Sequence, residues 1–123
     1  MKLRIKGNTI RFRLSKTDVL IFSQNHCIVE TSDFGTKVFS YGLKVSDDSG
    51  KISAEFINDS LIVYIPSTMS KRWTESNQVG LSEDLPLING KKLFILIEKD
   101  FQCLDETLED QSDNYENPLS SKL

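Results

Sequence analysis

Five cations alternate with apolar residues at the start of the chain: Lys2, Arg4, Lys6, Arg11 and Arg13 stand against Leu3, Ile5, Ile10, Phe12 and Leu14. Arg presents a rigid fork of donors and Lys a mobile point charge, so the chemistry such a row can do is recognition of anions. Near the other end, Asp105, Glu106, Glu109, Asp110, Asp113 and Glu116 are opposed only by Lys122. These acids form a candidate partner segment for the strip. With Asp100 they could also offer oxygen ligands to a hard cation, but the segment lacks the alternating acids and central glycine of a calcium loop. His26, the only histidine, adjoins Cys27 and could meet Cys103. That supplies three zinc ligands from two places, and a pair of buried thiols beside a surface imidazole explains the same residues. No metal site is assigned. There is no nucleophile elbow, no glycine-rich phosphate loop and no cofactor motif, so no catalytic residue and no cofactor is assigned either.

The elements that must position these residues read as strands and turns. Apolar parity changes from odd at Leu3 and Ile5 to even at Ile10, Phe12 and Leu14. Two structures restore one apolar face. In one, Gly7-Asn8 is a two-residue type II′ hairpin turn that pairs Lys6 with Thr9, Arg4 with Arg11 and Lys2 with Arg13; in the other, a single long strand carries a bulge. Both place the five cations on a common face. Ser15 reads as a helix N-cap, with Asp18 in the first turn and the helix running to about Gln24. Cys27 to Thr31, Lys37 to Ser46, Ile52 to Ile57 and Leu61 to Ile65 read as strands. Leu61 to Ile65 and Leu93 to Ile97 are apolar on both sides and are expected in central positions. Pro66-Ser67 is expected to cap a second short helix, with Met69 and Trp73 four apart and facing the core. Gln78 to Leu81 suggests a further strand, and Ser82 to Gly90 reads as the longest internal loop.

No internal repeat is visible. The expected fold is α+β and β-dominated, a single antiparallel sheet curled into a barrel or sandwich with two short helices. The β-rich domain is expected over residues 1–104, with an acidic tail at 105–123 pinned in part by Leu104, Leu108, Tyr115 and Leu119.

A chain of 123 residues and 14.0 kDa suits one domain that buries roughly two-thirds of its extended surface, so neither disulfides nor metal are needed to fold it. Hydrophobic residues make up 38% and charged residues 27%, an ordinary soluble composition. The net charge of −3 and pI of about 5.1 argue against a dedicated nucleic-acid protein, since phosphate binding needs a positive domain or a strong patch. Only the N-terminal strip could supply one. No apolar run approaches a bilayer span, and two cysteines are too few for a disulfide framework; a cytoplasmic location with no membrane partner is expected.

The segments Arg4-Ile5-Lys6-Gly7-Asn8-Thr9-Ile10-Arg11 and Glu98-Lys99-Asp100-Phe101-Gln102-Cys103-Leu104 carry a resemblance, continued in Glu109-Asp110, Ser112-Asp113 and Asn117-Pro118-Leu119 and in the Trp73 region. Together they make the chain similar to a family of small bacterial proteins that has no assigned activity or ligand. The resemblance implies a single unit from residue 1 to about 119 and transfers no catalytic residue. The leading expectation is a non-enzymatic domain that binds a protein or self-associates as a homo-oligomer, with strip and tail as complementary surfaces. Two alternatives stand beside it: weak nucleic-acid or phosphorylated-ligand binding through the strip, and a metal-dependent enzyme using the tail carboxylates.

Overall fold

Strand periodicity sets the first hairpin. β1 (Lys2–Lys6) and β2 (Thr9–Leu14) pair antiparallel through Lys2↔Arg13, Arg4↔Arg11 and Lys6↔Thr9. Gly7 takes φ 54° and is the only turn residue with positive φ, as a II′ turn requires. The hairpin register therefore holds and the bulge does not. The computed structural model describes residues 1–48 and 50–101, which hold eight strands and two helices. The acidic tail lies outside them.

Helix α1 (Lys16–Asn25) opens on a reciprocal capping box between Ser15 and Asp18 and closes at His26, whose φ of 60° is left-handed. The chain continues as β3 (Cys27–Asp33), β4 (Val38–Ser46), β5 (Ser53–Ile57) and β6 (Ser60–Pro66). Asn58 and Asp59 at φ 51° and 59° make the β5–β6 turn, a conformation these two residue types tolerate. Helix α2 (Ser67–Glu75) follows, then β7 (Gly80–Pro86) and β8 (Lys92–Lys99). Ser67 does not cap α2. The Asp48 carboxylate does so from across space, accepting from the Thr68 backbone N–H at 2.6 Å and its hydroxyl at 2.7 Å.

The expectation of one antiparallel sheet, closed or curled, is overturned. There are two separate four-stranded sheets, ordered β1-β2-β8-β7 and β3-β4-β6-β5, and neither closes into a barrel. Each contains one parallel pair, β2 with β8 and β4 with β6. The helices are the reason: α1 carries the chain out of the first sheet into the second and α2 carries it back, so each central hairpin strand meets a partner from the far half of the chain. β6 and β8 are central, as their apolar sequences require. The expected loop at 82–90 is mostly strand, because Leu81 and Leu85 alternate against β8; the acids Glu83 and Asp84 disguise this edge strand.

The connectivity is also duplicated, contrary to the reading of no repeat. β1-β2-α1-β3-β4 and β5-β6-α2-β7-β8 are the same unit, and exchanging the units turns one sheet order into the other. Hydrogen bonds repeat as well. The Phe94 N–H donates to the Asn8 carbonyl at 3.0 Å as Ser40 does to Asp59 at 3.0 Å, and Lys99 donates to Val79 as Val45 does to His26, both at 2.9 Å. Inner-face residues of both sheets join in one core around Phe12, Leu14, Leu43, Val63, Ile95 and Ile97. Phe22 and Trp73, equivalent residues of α1 and α2, meet edge to face at 6.3 Å and are fully buried. Each such side chain contributes about 1.5–3 kcal/mol by its burial. Trp73 also donates its indole N–H to the Val79 carbonyl at 3.1 Å, which fixes α2 to the start of β7.

Candidate functional surfaces

The outer face of the first sheet gathers all five predicted cations. Across the strands, one row runs Lys2, Arg13, Glu98 and Gly80; the next Arg4, Arg11, Leu96 and Ser82; the next Lys6, Thr9, Phe94 and Asp84. Cross-strand cations repel, and β8 supplies part of the answer. Arg11 Nε donates to Glu98 Oε1 at 2.6 Å, and the Arg13 Nε lies 3.4 Å from the same oxygen. The Arg13 contact is an ion pair off the N–H line, since that buried Nε has no hydrogen-bond partner. Lys2 reaches Asp100 at 3.1 Å, and its hydrogen bond holds the Asp100 carboxyl below the usual carboxylate range, helped by the charges of Arg13 and Arg11. These partly exposed pairs are worth on the order of 1 kcal/mol or less each.

Among the described residues the counter-charge therefore lies at one end of the strip. Arg4 and Lys6, at the turn end, have no ion pair among the described residues. In the same two rows, across β2, lie half-buried Leu96 and exposed Phe94 on β8. Sequence reasoning missed Glu98 as the answer to Arg11 and Arg13, because the parallel β2–β8 pairing joins residues far apart in the chain. The predicted acidic segment Asp105, Glu106, Glu109, Asp110, Asp113 and Glu116 lies outside the described residues, as does Cys103. His26 caps α1 and Cys27 is a half-buried free thiol. Among the described residues no three His, Cys, Asp or Glu side chains converge as a metal cluster would, and no helix is long and apolar enough to cross a membrane.

A second charged cluster was not foreseen. The Met1 ammonium group is shielded from solvent between Asp18 Oδ2 and Glu30 Oε2, both at 2.9 Å, and the Tyr41 hydroxyl donates to Glu30 Oε1 at 3.3 Å. Burial opposes the charge on Met1, but the hydrogen bonds to Glu30 and Asp18 outweigh it and raise its pKa above the usual amine value. For Asp18, burial works against ionisation; the Ser15 hydrogen bonds and the ammonium prevail and lower its pKa. Burial and the Glu30 charge push Tyr41 up.

Two concavities also open on the described residues. A groove of about 760 Å³ runs between the start of α1 and Lys99, Asp100 and Phe101, with Thr74 on its far wall. The other, about 310 Å³, opens between the two sheets at the end away from the helices. It is lined by equivalent residues of the two units: Ile5 and Phe56, Ile10 and Leu61, Phe39 and Leu93.

The model of a family of unknown function, DUF7009, matches residues 1–119. No curated protein and no solved structure matches the chain.

Proposed function

Since the chain belongs to DUF7009, a family of unknown function, we propose that it is a binding domain whose basic sheet face docks an acidic segment with interspersed apolar residues. The observation that carries this reading is the contrast between its two duplicated units. At the positions equivalent to Lys2, Arg4, Lys6, Arg11 and Arg13, the second unit has Ser53, Glu55, Ile57, Ile62 and Tyr64. The fold makes no demand for positive charge on this face, so the strip is a property of the surface and not of the architecture. Arg4 and Lys6 supply the attraction, while Leu96 and Phe94 supply apolar contact two strands away, on β8.

The sequence contains one segment of matching chemistry. Residues 105–119 interleave acids with Leu108, Tyr115 and Leu119. Supplied by a second copy, it makes the domain self-associating; supplied by another protein, it makes the domain a partner module. A peptide of residues 105–119 titrated into protein lacking residues 105–123 distinguishes this from a solvated strip. Binding is expected to weaken as salt rises from 50 to 500 mM by about tenfold, and Arg4→Glu with Lys6→Glu should cost at least about another tenfold. Equal affinity for the charge-reversed protein, or no dependence on salt, defeats the reading. Tighter binding of single-stranded DNA than of the peptide would favour phosphate recognition instead.

A further inference from the structure

Building on that reading of the basic face, we propose that its resident occupant is this chain's own acidic segment, residues 105–116, bound in cis, and that an external acidic partner docks only by displacing it. β8 already brings this end of the chain to the strip. Its outward-facing series of Phe94, Leu96 and Glu98 continues into Asp100, and both acids pair with cations: Glu98 with Arg11 and Arg13, Asp100 with Lys2 at 3.1 Å. The Asp100 backbone N–H also donates to the Leu14 carbonyl at 2.8 Å, which ties this acid to the end of β2. The chain thus leaves the folded body on the basic side, at the answered end of the strip. Arg4 and Lys6, which no acid among the described residues reaches, lie beyond that end on the same strand as Lys2.

Reach, charge and tether single out this occupant. At about 3.3 Å per residue, Lys6 stands about 13 Å along β1 from Lys2. Asp105 can extend about 17 Å from Asp100 and Glu109 about 30 Å, so both unanswered cations are within range of the segment's first acids. Residues 105–116 contain six acids and no Lys or Arg. Arg4 stands opposite Arg11 and repels it. An acid delivered between them relieves that repulsion. Four residues, 101–104, join the segment to Asp100. A tether that short holds the acids near the strip at an effective concentration in the millimolar range, whereas a second copy or another protein competes only at its free concentration. The cis contact therefore prevails until a partner binds the strip more tightly than the segment does.

The test compares two proteins of the full 123 residues, the natural chain and one in which the six acids are replaced by their amides, from Asp105→Asn to Glu116→Gln. The substitutions lie outside the eight strands and two helices, so both proteins should give the same near-ultraviolet circular dichroism. The probe is a fluorescent peptide of residues 105–119 with its acids intact, titrated in about 50 mM salt, where screening is weak. The neutralised protein should bind it about tenfold more tightly than the natural chain, the margin that a tethered competitor at millimolar effective concentration imposes. The backbone N–H groups of Arg4, Lys6 and Phe94 should also differ in NMR chemical shift between the two proteins, and the difference should persist when both are diluted about tenfold, since a tethered contact does not depend on protein concentration. Equal affinity of the two proteins for the peptide overturns cis occupancy and leaves the binding face standing. Shift differences that vanish on dilution overturn it in favour of a second copy. Binding to neither protein removes the acidic-segment reading itself, and the cis contact with it.

Discussion

At the scale of single residues, the Met1, Asp18 and Glu30 cluster links stability to pH on both sides of neutrality. Asp18 has a lowered pKa in the folded chain, so below about pH 4 the unfolded state takes up its proton first. The unfolded state then binds more protons, and stability should fall as acid approaches the folded value. The Met1 amine has a raised pKa, so its contribution is complete below the ordinary value and is lost as pH climbs above about 8 through the folded value. Urea midpoints measured across pH should show both limbs. Asp18→Asn should flatten the acid limb and lower stability at neutral pH by about 1 kcal/mol, because the ammonium loses one charged partner. An unchanged acid limb would place the titration elsewhere. None of this was legible in the sequence. Asp18 could be read as a first-turn acid of α1, a local property, but its second partner comes from the chain start and its neighbour Glu30 from β3.

Among the elements, the β3–β4 pair leaves the least room at any glycine. A side chain at Gly42 would run into the Ile28 carbonyl and stand 2.8 Å from the Val29 Cα. Both are backbone atoms of the adjoining strand, which cannot turn aside. Gly42→Ala should therefore destabilise the protein by about 3 kcal/mol, read as a drop in the urea midpoint. Gly50, which meets nothing within 4 Å, should tolerate the same change. Most strands were legible from sequence, because their apolar residues either alternate, as in β1, β2, β4 and β5, or run unbroken, as in β6 and β8. β7 reads from sequence only as far as Leu81, for the opposite reason: an edge strand needs only Leu81 and Leu85 on its inner side, and exposed Ser82 and Asp84 leave the rest of it looking like a loop. The α2 cap was missed because Asp48 reaches it from outside the helix, where capping signals are not sought.

The whole molecule is two copies of one unit that exchange strands. Each sheet takes two strands from each unit, so neither half owns a complete sheet or core. Cutting the chain between β4 and β5 should give fragments that are each unfolded in monomeric form, and that recover the native circular dichroism and near-ultraviolet signal of Trp73 when mixed. A first fragment that is folded and monomeric by itself would contradict that interdependence. The repeat escapes the sequence because only burial has been kept: Ile10 answers Leu61, Phe12 answers Val63, Phe22 answers Trp73, while the outer faces bear unrelated chemistry. The sequence by itself determined that Lys2, Arg4, Lys6, Arg11 and Arg13 project together, since the two-residue period of a strand and the geometry of a tight turn are local. Only the tertiary structure decided that, among the described residues, Glu98 and Asp100 answer one end of that row and no acid answers the other, and that Phe39 and Phe56 face Ile5 and Leu93 across a cleft. Those relations join strands distant in the chain, and their register follows from how the two sheets close over one core rather than from any local pattern.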